Sequence, residues 1–398
     1  MKILVISNLF PPNILGGAEN FAYELSKTLA VDNEVLVVTT CDEKYSSQYE
    51  IQDFENMKII RFFPKNMYWV FDRSHKPTWK KLLWHLLDYF NLHSYFSIKK
   101  LIVDFQPDIV HTHNIDGFSG SVWKAAKSQN IPVVHTAHDG HLVCPKANFL
   151  HKNKEVDCGK TVCKVFRYFH LLNAQNIDLF VSPSKFLLKV YLQHNMKVKE
   201  TLVIENGVLS TPSSITEKQS GTLQVLFMGQ ISEHKGIGCL LQTIQYFKNK
   251  DVTFHIAGKG PLEDKITSIQ QENSKVIYHG FISGDKKQEL LAKSHILLFP
   301  SQCYENSPLS ILEAYQNGLI IIASNIGGIP ELINESSSGF LFDLDQPQKV
   351  CHIIDGLLNS PYKQKELHQK SIDYFQSFKI ENCAKHYQNA YQKLLNSN

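Results

Sequence analysis

Short apolar runs alternate with amphipathic stretches along nearly the whole chain. In the first half such runs lie at residues 3–7, 34–39, 59–63, 108–111, 132–135, 179–183 and 201–204. Turn residues bound each run, and helical patterns separate most of them. The clearest helix places Ala18, Phe21, Ala22, Leu25 and Leu29 on one face. Continuous apolar strands that alternate with helices predict a parallel sheet covered on both sides.

The alternation stops at residues 206–221, which are rich in Gly, Pro, Ser and Thr, as in a linker. It resumes with apolar runs at 223–228, 252–257, 276–279, 296–299, 319–323 and 339–342. We therefore expect an α/β protein with two Rossmann-like, doubly wound domains, at 1–210 and 211–379, and a final helix at about 380–398 that packs back on the first. Ligands of such sheets bind at the carboxyl ends of the strands, which predicts a cleft between the domains.

Composition narrows the class of protein. A length of 398 residues suits two domains, and 43% hydrophobic with 20% charged residues is ordinary for a globular chain. A net charge of +3 and the lack of a basic groove-reading motif disfavour a nucleic-acid binder. The opening apolar run is too short for a secretion signal, and no run is long enough to span a membrane. With eight scattered cysteines, the chain is expected to be reduced and cytoplasmic.

The segment 299–331, FPSQCYENSPLSILEAYQNGLIIIASNIGGIPE, carries the strongest chemical signal. A strand leads into a polar loop and then a helix, with Ser307 as the expected N-cap and Pro308 at the first helical position. The free N–H groups of such a helix start suit a phosphate. Because carboxylates beside an anion site would repel the anion, Glu305 and Glu313 are expected to have another function, such as binding sugar hydroxyls. The alternative is a surface helix with two unrelated glutamates.

Two further turns suit a phosphate. Gly16 and Gly17 directly precede a helix, although a plain tight turn explains them equally well. They form neither the spaced dinucleotide fingerprint nor a Walker loop. After the run 223–228, Lys235 stands beside Gly236 at a strand-to-helix turn, where its charge could meet an anion. A solvated surface lysine is the alternative.

Together these residues resemble the GT-B glycosyltransferases, specifically family 4, the large retaining group. The resemblance spans most of the chain. It is carried by PPNILGGAE near the start, HTHN at 111–114, TAHDGHLVCP at 136–145, SPSKF at 182–186, ENGV at 205–208, MGQISEHKG at 228–236, AGKGPLED at 257–264, HGFIS at 279–283 and the two-glutamate segment.

The resemblance implies roles for individual residues. Catalytic roles fall on His138, which would face the donor sugar, on Glu305, which would bond its hydroxyls, and on Lys235, which would hold the diphosphate. His111 and His113 are expected to be structural. The remaining donor-binding residues implied are Gly16 and Gly17 at the phosphates and acceptor, Phe281 and Ile282 near the base, Asn306, Ser307, Pro308 and Leu309 against the sugar and phosphates, and Glu313 at the ribose. Gly258 is also expected to bind the donor.

No metal or cofactor is expected. Lys235, the helix-start N–H groups and the glycine loops can receive negative charge on a departing UDP or GDP. The resemblance implies retention of configuration by front-face attack, without a protein nucleophile. Asp343 and Asp345 resemble a metal-binding acidic pair, but their place after a late strand disfavours that role. Gln230 stands where the family usually carries arginine, and a lost charge-assisted contact costs roughly 1.5–3 kcal/mol.

The predicted function is transfer of one sugar from a nucleotide-sugar to a glycan or lipid-linked acceptor. By analogy alone, it belongs to bacterial surface polysaccharide assembly. A sugar-nucleotide epimerase on the same fold and a non-catalytic sugar-nucleotide-binding subunit are the alternatives.

Two segments of the sequence each allow two interpretations. From Arg73 to Lys100, basic ends flank an apolar face that includes Leu82 and Leu86. This fits a helix in a membrane interface, on the inner face of the membrane, or a helix packed on its own domain. The cysteines Cys144, Cys158 and Cys163, which lie near several histidines, fit a zinc site or, more simply, buried thiols in a variable lid.

Overall fold

A computed structural model describes residues 1–46, 50–145, 147, 150–151, 154–155, 161–210, 221–336 and 338–397. The chain divides into two compact units. The first comprises Met1–Asn148, Asp157–Leu209 and Ile380–Asn398, and the second comprises Phe149–Val156 and Ser210–Lys379.

The strands follow one another along the described chain in short lengths. They are β1 (Lys2–Ser7), β2 (Glu34–Thr40), β3 (Gln52–Phe54), β4 (Met57–Phe62), β5 (Ile109–Thr112), β6 (Val133–Thr136), β7 (Leu150–His151), β8 (Lys154–Glu155), β9 (Leu179–Ser182), β10 (Glu200–Val203), β11 (Leu223–Met228), β12 (Val252–Ala257), β13 (Val276–Gly280), β14 (Ile296–Phe299), β15 (Ile320–Ser324) and β16 (Gly339–Phe342).

Helices connect most of these strands. They are α1 (Gly17–Leu29), α2 (Thr78–Tyr89), α3 (Leu92–Phe105), α4 (Ser121–Lys127), α5 (Thr161–Ala174), α6 (Lys185–Gln193), α7 (Ile237–Tyr246), α8 (Glu263–Glu272), α9 (Gly284–Lys293), α10 (Leu309–Gln316), α11 (Ile329–Ser336), α12 (Gln348–Leu358), α13 (Pro361–Phe375) and α14 (Ile380–Asn396).

The sheet of the first unit has the strand order β10-β9-β6-β5-β1-β2-β4-β3. Its strands pair in parallel, except that β3 runs antiparallel to β4. In the inner strands every residue of β5, β6 and β9 is buried, which is why these strands appear in the sequence as continuous apolar runs. The sheet therefore has the doubly wound form, with its ligand edge at the carboxyl ends of β1, β5 and β6.

The second unit holds a parallel sheet of order β13-β12-β11-β14-β15-β16. The first strand, β11, lies between β12 and β14, so the chain builds the sheet outward on one side of β11 and then on the other, as in a dinucleotide-binding fold. Its core is aliphatic, with Val225, Leu298 and Ile322 fully buried between the sheet and its helices. The predicted α/β fold class is confirmed, because both units contain parallel sheets with flanking helices.

Helix α14 packs on the first unit against α1. Tyr387 and Tyr391 on this helix are fully buried, and the Tyr391 hydroxyl forms a hydrogen bond of 2.7 Å with His111 Nδ1. The end of the chain thus supplies part of the core beneath β5 and β6. None of the described helices is both long and apolar enough to cross a membrane.

Candidate functional site

Helix α10 begins one residue later than the sequence predicts. Pro308 occupies the N-cap position with an extended ψ of 120°, and the first helical residue is Leu309. The prediction that Ser307 caps this helix is therefore wrong. A proline cap offers no side-chain acceptor, so the first N–H groups of α10 are not satisfied by their own cap. The helix start still presents these donors and the positive end of the helix dipole.

Lys235 and Glu305 form an ion pair at the carboxyl ends of β11 and β14. Lys235 Nζ lies 2.5 Å from Glu305 Oε1, and the side chains are only 27% and 19% exposed. The Ser301 hydroxyl donates to the same carboxylate oxygen at 2.9 Å. Burial alone would lower the pKa of Lys235, but the charge and hydrogen bond of Glu305 outweigh it and raise that pKa. Lys235 is therefore a fixed ammonium group beside the loop that leads to α10.

Two glycines hold the Glu305 loop in place. Gly328 donates its N–H to the Glu305 carbonyl at 2.7 Å. A Cβ atom on Gly328 would lie 2.1 Å from the Asn306 carbonyl oxygen, and Gly327 has a φ of +65°. Because L side chains are disfavoured in both situations, the turn between β15 and α11 requires glycine in order to support Glu305 and Asn306.

Gly258 brings the ends of two strands together in a similar way. It follows β12 with a φ of +142°, and a Cβ atom there would lie 1.8 Å from the carbonyl oxygen of Gly229, which follows β11. The AGKGP turn therefore packs backbone against backbone. Phe281, in the turn after β13, is 69% exposed, and Ile282 is half-buried. Gln230 is exposed at the end of β11.

Glu313 has a partner that the sequence analysis did not identify. Lys287 on α9 places its Nζ 2.6 Å from Glu313 Oε1, and both side chains are largely buried. The two carboxylates of the segment are thus each neutralised by a different lysine, Glu305 by Lys235 and Glu313 by Lys287. Nothing in the local pattern linked residues 287 and 313, since the pairing depends on how α9 and α10 pack.

The first unit places Gly16 and Gly17 at the start of α1. Gly16 donates its N–H to Glu19 Oε2 at 2.8 Å, so the helix's own glutamate closes the glycine turn. Burial raises the pKa of Glu19. One turn further, the Phe21 ring contacts the ring of His138, with 5.6 Å between centroids. The glycine turn and His138 are therefore on neighbouring elements.

His138 follows β6 and is half-buried, and it pairs with the fully buried His113. Its Nε2 lies 3.0 Å from His113 Nδ1, and the two rings stack. Burial lowers the pKa of His138 to about 4. At neutral pH His138 is therefore an uncharged imidazole, which can exchange hydrogen bonds with a substrate but does not present a positive charge.

A second set of hydrogen bonds, centred on His111, lies next to this pair. His111 is hydrogen-bonded to the Tyr391 hydroxyl at Nδ1, and its Nε2 lies 2.8 Å from Thr136 Oγ1. Thr136 Oγ1 is in turn 2.9 Å from the Tyr387 hydroxyl. His111 is fully buried with both ring nitrogens engaged, as expected of a structural residue. No local pattern in the sequence indicated that residues 387 and 391 would complete this network.

The structure groups the predicted residues by unit. Lys235, Gly258, Glu305, the start of α10 and Glu313 belong to the second unit, while Gly16, Gly17 and His138 belong to the first. Cys144 is buried and Cys163 is half-buried. Cys158 lies outside the described residues, so the zinc hypothesis for these cysteines stays a prediction. Asp343 is exposed and accepts a hydrogen bond from the Asn325 side chain at 2.8 Å.

Comparisons with known proteins agree with this architecture. Residues 15–209 match the family described as Glycosyltransferase Family 4, and residues 222–360 match Glycosyl transferases group 1. An uncharacterised 42.6 kDa protein in the cps region of Klebsiella pneumoniae is 26% identical over 339 residues, covering 83% of this chain and 87% of the relative.

Solved structures show the same fold over the full length. Sucrose-phosphate synthase from Thermosynechococcus elongatus aligns with a TM-score of 0.76 at 18% identity, covering 100% of both chains. Anabaena HepE in complex with UDP aligns with a TM-score of 0.71 at 17% identity, covering 99% of this chain and 100% of that one. The chain therefore belongs to the GT-B glycosyltransferases, with a family 4 amino-terminal region and a group 1 carboxyl-terminal region.

Proposed function

We propose that this glycosyltransferase is a retaining, metal-independent enzyme that moves a hexosyl or related sugar from a UDP- or GDP-sugar to a glycan or lipid-linked acceptor. The Lys235–Glu305 pair is the observation that carries this proposal. It combines a cation for a diphosphate with a carboxylate for sugar hydroxyls, 2.5 Å apart and beside the free N–H groups of α10. HepE, which was solved with UDP, makes a uridine donor the first to test.

The proposed chemistry is the stabilisation of a leaving nucleoside diphosphate. Lys235 and the N–H groups at the start of α10 receive negative charge as the glycosidic bond breaks, so no divalent ion is needed. Donor binding breaks the Lys235–Glu305 pair: the ammonium turns to the diphosphate and the carboxylate turns to the sugar. Neutral His138 stabilises the transition state by hydrogen bonding. Glu313 binds the ribose, Phe281 and Ile282 contact the base, and the remaining predicted donor-binding residues line the phosphates and sugar.

Gln230 favours a second candidate function, that of a non-catalytic subunit. Its exposed amide replaces the arginine that usually accompanies the lysine, so the diphosphate has one cation fewer. A non-catalytic subunit that binds a nucleotide-sugar would tolerate this loss. Because the loss amounts to roughly 1.5–3 kcal/mol, it also fits an active enzyme with modest donor affinity.

The acceptor side of the proposal rests on helix α2. Leu82, Leu83, Leu86 and Leu87 are between 40% and 60% exposed, whereas Trp84 on the opposite face is fully buried. The leucine face is therefore not the face that packs on the domain, which favours peripheral contact with the inner membrane surface. A lipid-linked acceptor would be bound at this membrane surface. The Klebsiella relative from a cps region supports a role in bacterial surface polysaccharide synthesis.

The deciding experiment is calorimetry with a panel of UDP-, GDP- and ADP-sugars, followed by turnover with lipid-linked and free glycan acceptors. We expect one nucleotide series to bind and to support transfer, with the anomeric configuration of the donor kept in the product by NMR. An inverted product would overturn the retaining mechanism. Binding without transfer or hydrolysis would favour the non-catalytic subunit, and donor isomerisation without an acceptor would favour an epimerase.

A further inference from the structure

A buried group of three potential metal ligands lies in the first unit. Asp88 is on α2, Asp116 is in the turn after β5, and His141 is in the turn after β6. One ligand atom from each residue lies within 4.8 Å of the other two. Asp88 is 1% exposed and His141 is 8% exposed, whereas Asp116 is half-buried. No sequence motif indicated a function for Asp88 or Asp116, and His141 was considered only as a histidine near the cysteines of the possible zinc site.

Two atoms of this group are left without hydrogen bonds. His141 Nε2 and Asp116 Oδ1 are both inaccessible to solvent, and neither has a hydrogen-bond partner among the described residues. They lie 3.2 Å from each other. In contrast, Asp88 Oδ1 accepts from the Gly117 N–H at 2.8 Å, which fixes the carboxylate beside the turn that carries Asp116. Apart from this contact with each other, a buried imidazole nitrogen and a buried carboxylate oxygen therefore have no partner among the described residues, and a bound cation would satisfy both.

The charges around this position are unbalanced. Asp139, whose Oδ1 accepts the His141 backbone N–H at 2.8 Å, adds a third carboxylate to those of Asp88 and Asp116. One imidazole thus stands among three carboxylates. Buried negative charge of this kind is unfavourable unless a cation compensates it.

We propose that Asp88, Asp116 and His141 bind a divalent cation. Two carboxylate oxygens and one imidazole nitrogen form a donor set that suits Mn²⁺, and also Zn²⁺, with water completing the coordination. The ion would join α2 to the turns after β5 and β6, and so tie the helix with the exposed leucine face to the loop that carries His138. Its role is structural, and no step of sugar transfer passes through it.

The test uses the full-length protein, stripped with a chelator and dialysed, and Mn²⁺ as the probe. Free Mn²⁺ is followed by electron paramagnetic resonance, which needs no donor or acceptor and is independent of the proposed function. We expect one Mn²⁺ per chain, a higher melting temperature with the metal, and affinity at least tenfold weaker in Asp116→Asn and His141→Gln. Asp343→Asn, which removes an exposed carboxylate of the second unit, is the matched control.

Three results of the Mn²⁺ titration would overturn the proposal. They are no binding up to millimolar Mn²⁺, undiminished affinity in both folded variants, or equal loss in Asp343→Asn. Circular dichroism establishes that the variants are folded. If they are not, Co²⁺ with the unaltered protein decides: visible bands typical of oxygen and nitrogen ligands support the site. An intense thiolate charge-transfer band would place the metal at the cysteines instead and end the proposal.

Discussion

Replacing Lys235 by methionine tests the proposed donor site most directly. The side chain keeps its length and apolar stem but loses the ammonium group that lies 2.5 Å from Glu305. A charge-assisted contact to the diphosphate is worth roughly 1.5–3 kcal/mol, and each 1.4 kcal/mol is a factor of ten. Affinity for the cognate nucleoside diphosphate should therefore fall about 10- to 150-fold, and transfer should fall at least tenfold.

Glu305 allows a second, opposite test of the same pair. Glu305→Gln frees Lys235 from its internal partner and removes a carboxylate that repels phosphate. Binding of the free nucleoside diphosphate should then stay equal or tighten, because Glu305 is proposed to contact the sugar. Binding of the full nucleotide-sugar should weaken, and transfer should fall at least tenfold in Glu305→Ala. The double variant Lys235→Met/Glu305→Gln should be less impaired in diphosphate binding than Lys235→Met alone.

A surface ion pair of the same unit provides the control. Lys250 Nζ lies 2.6 Å from Asp355 Oδ1, at the opposite, amino-terminal end of β12. Lys250→Met removes an ammonium–carboxylate pair of similar length without touching the proposed site, and it should leave calorimetric affinity and transfer unchanged. The reasoning fails if Lys235→Met keeps both quantities within twofold of the unaltered enzyme, or if Lys250→Met impairs them equally.

Four further predictions follow from the geometry. Gly328→Ala should lower transfer at least tenfold by displacing the Glu305 loop, while Gly356→Ala, where an added Cβ meets nothing within 4 Å, should not; equal rates would refute the role of this turn. Burial lowers the pKa of His111 to about 3, so below pH 6.5 the unfolded chain binds a proton that the folded chain does not, and the folded state loses stability as the pH falls. Between pH 7 and pH 5, the free energy of unfolding from urea denaturation should therefore fall by about 2 kcal/mol more in the unaltered protein than in His111→Asn. An equal fall in the two proteins would contradict this. EDTA should leave initial transfer rates intact, and a chelator-sensitive rate restored by Mg²⁺ would reject metal independence. Leu82→Glu with Leu86→Glu should abolish sedimentation with anionic vesicles while transfer to a soluble acceptor persists; unchanged sedimentation would assign the leucine face to another partner.

Most of the sheet architecture could be read from local pattern. Each predicted apolar run coincides with a strand to within two residues, because a strand buried on both faces needs a continuous apolar sequence. The antiparallel edge strand β3 was missed, since its residues Gln52–Phe54 are polar or aromatic and mainly exposed. An edge strand buries little, so it leaves little apolar pattern to detect.

The residue types at the candidate site were also visible in the sequence. Lys235, Glu305 and Glu313 stand at fixed distances from strand ends and a helix start, and such local spacing follows from the strand–turn–helix unit itself. The cap of α10 was misassigned by one residue, because a serine before proline has the right chemistry for a cap but the backbone turns only after Pro308.

By itself, the sequence determined the fold class, the succession of strands and helices along the chain and the residue types of the candidate site, because each depends on neighbours within about twenty residues. Only the tertiary structure decided which groups meet. The pairs Lys235–Glu305, Lys287–Glu313 and His111–Tyr391 join residues 70, 26 and 280 positions apart. Those contacts depend on how helices pack on sheets, which is set by the shape of the whole core and leaves no periodic trace along the chain.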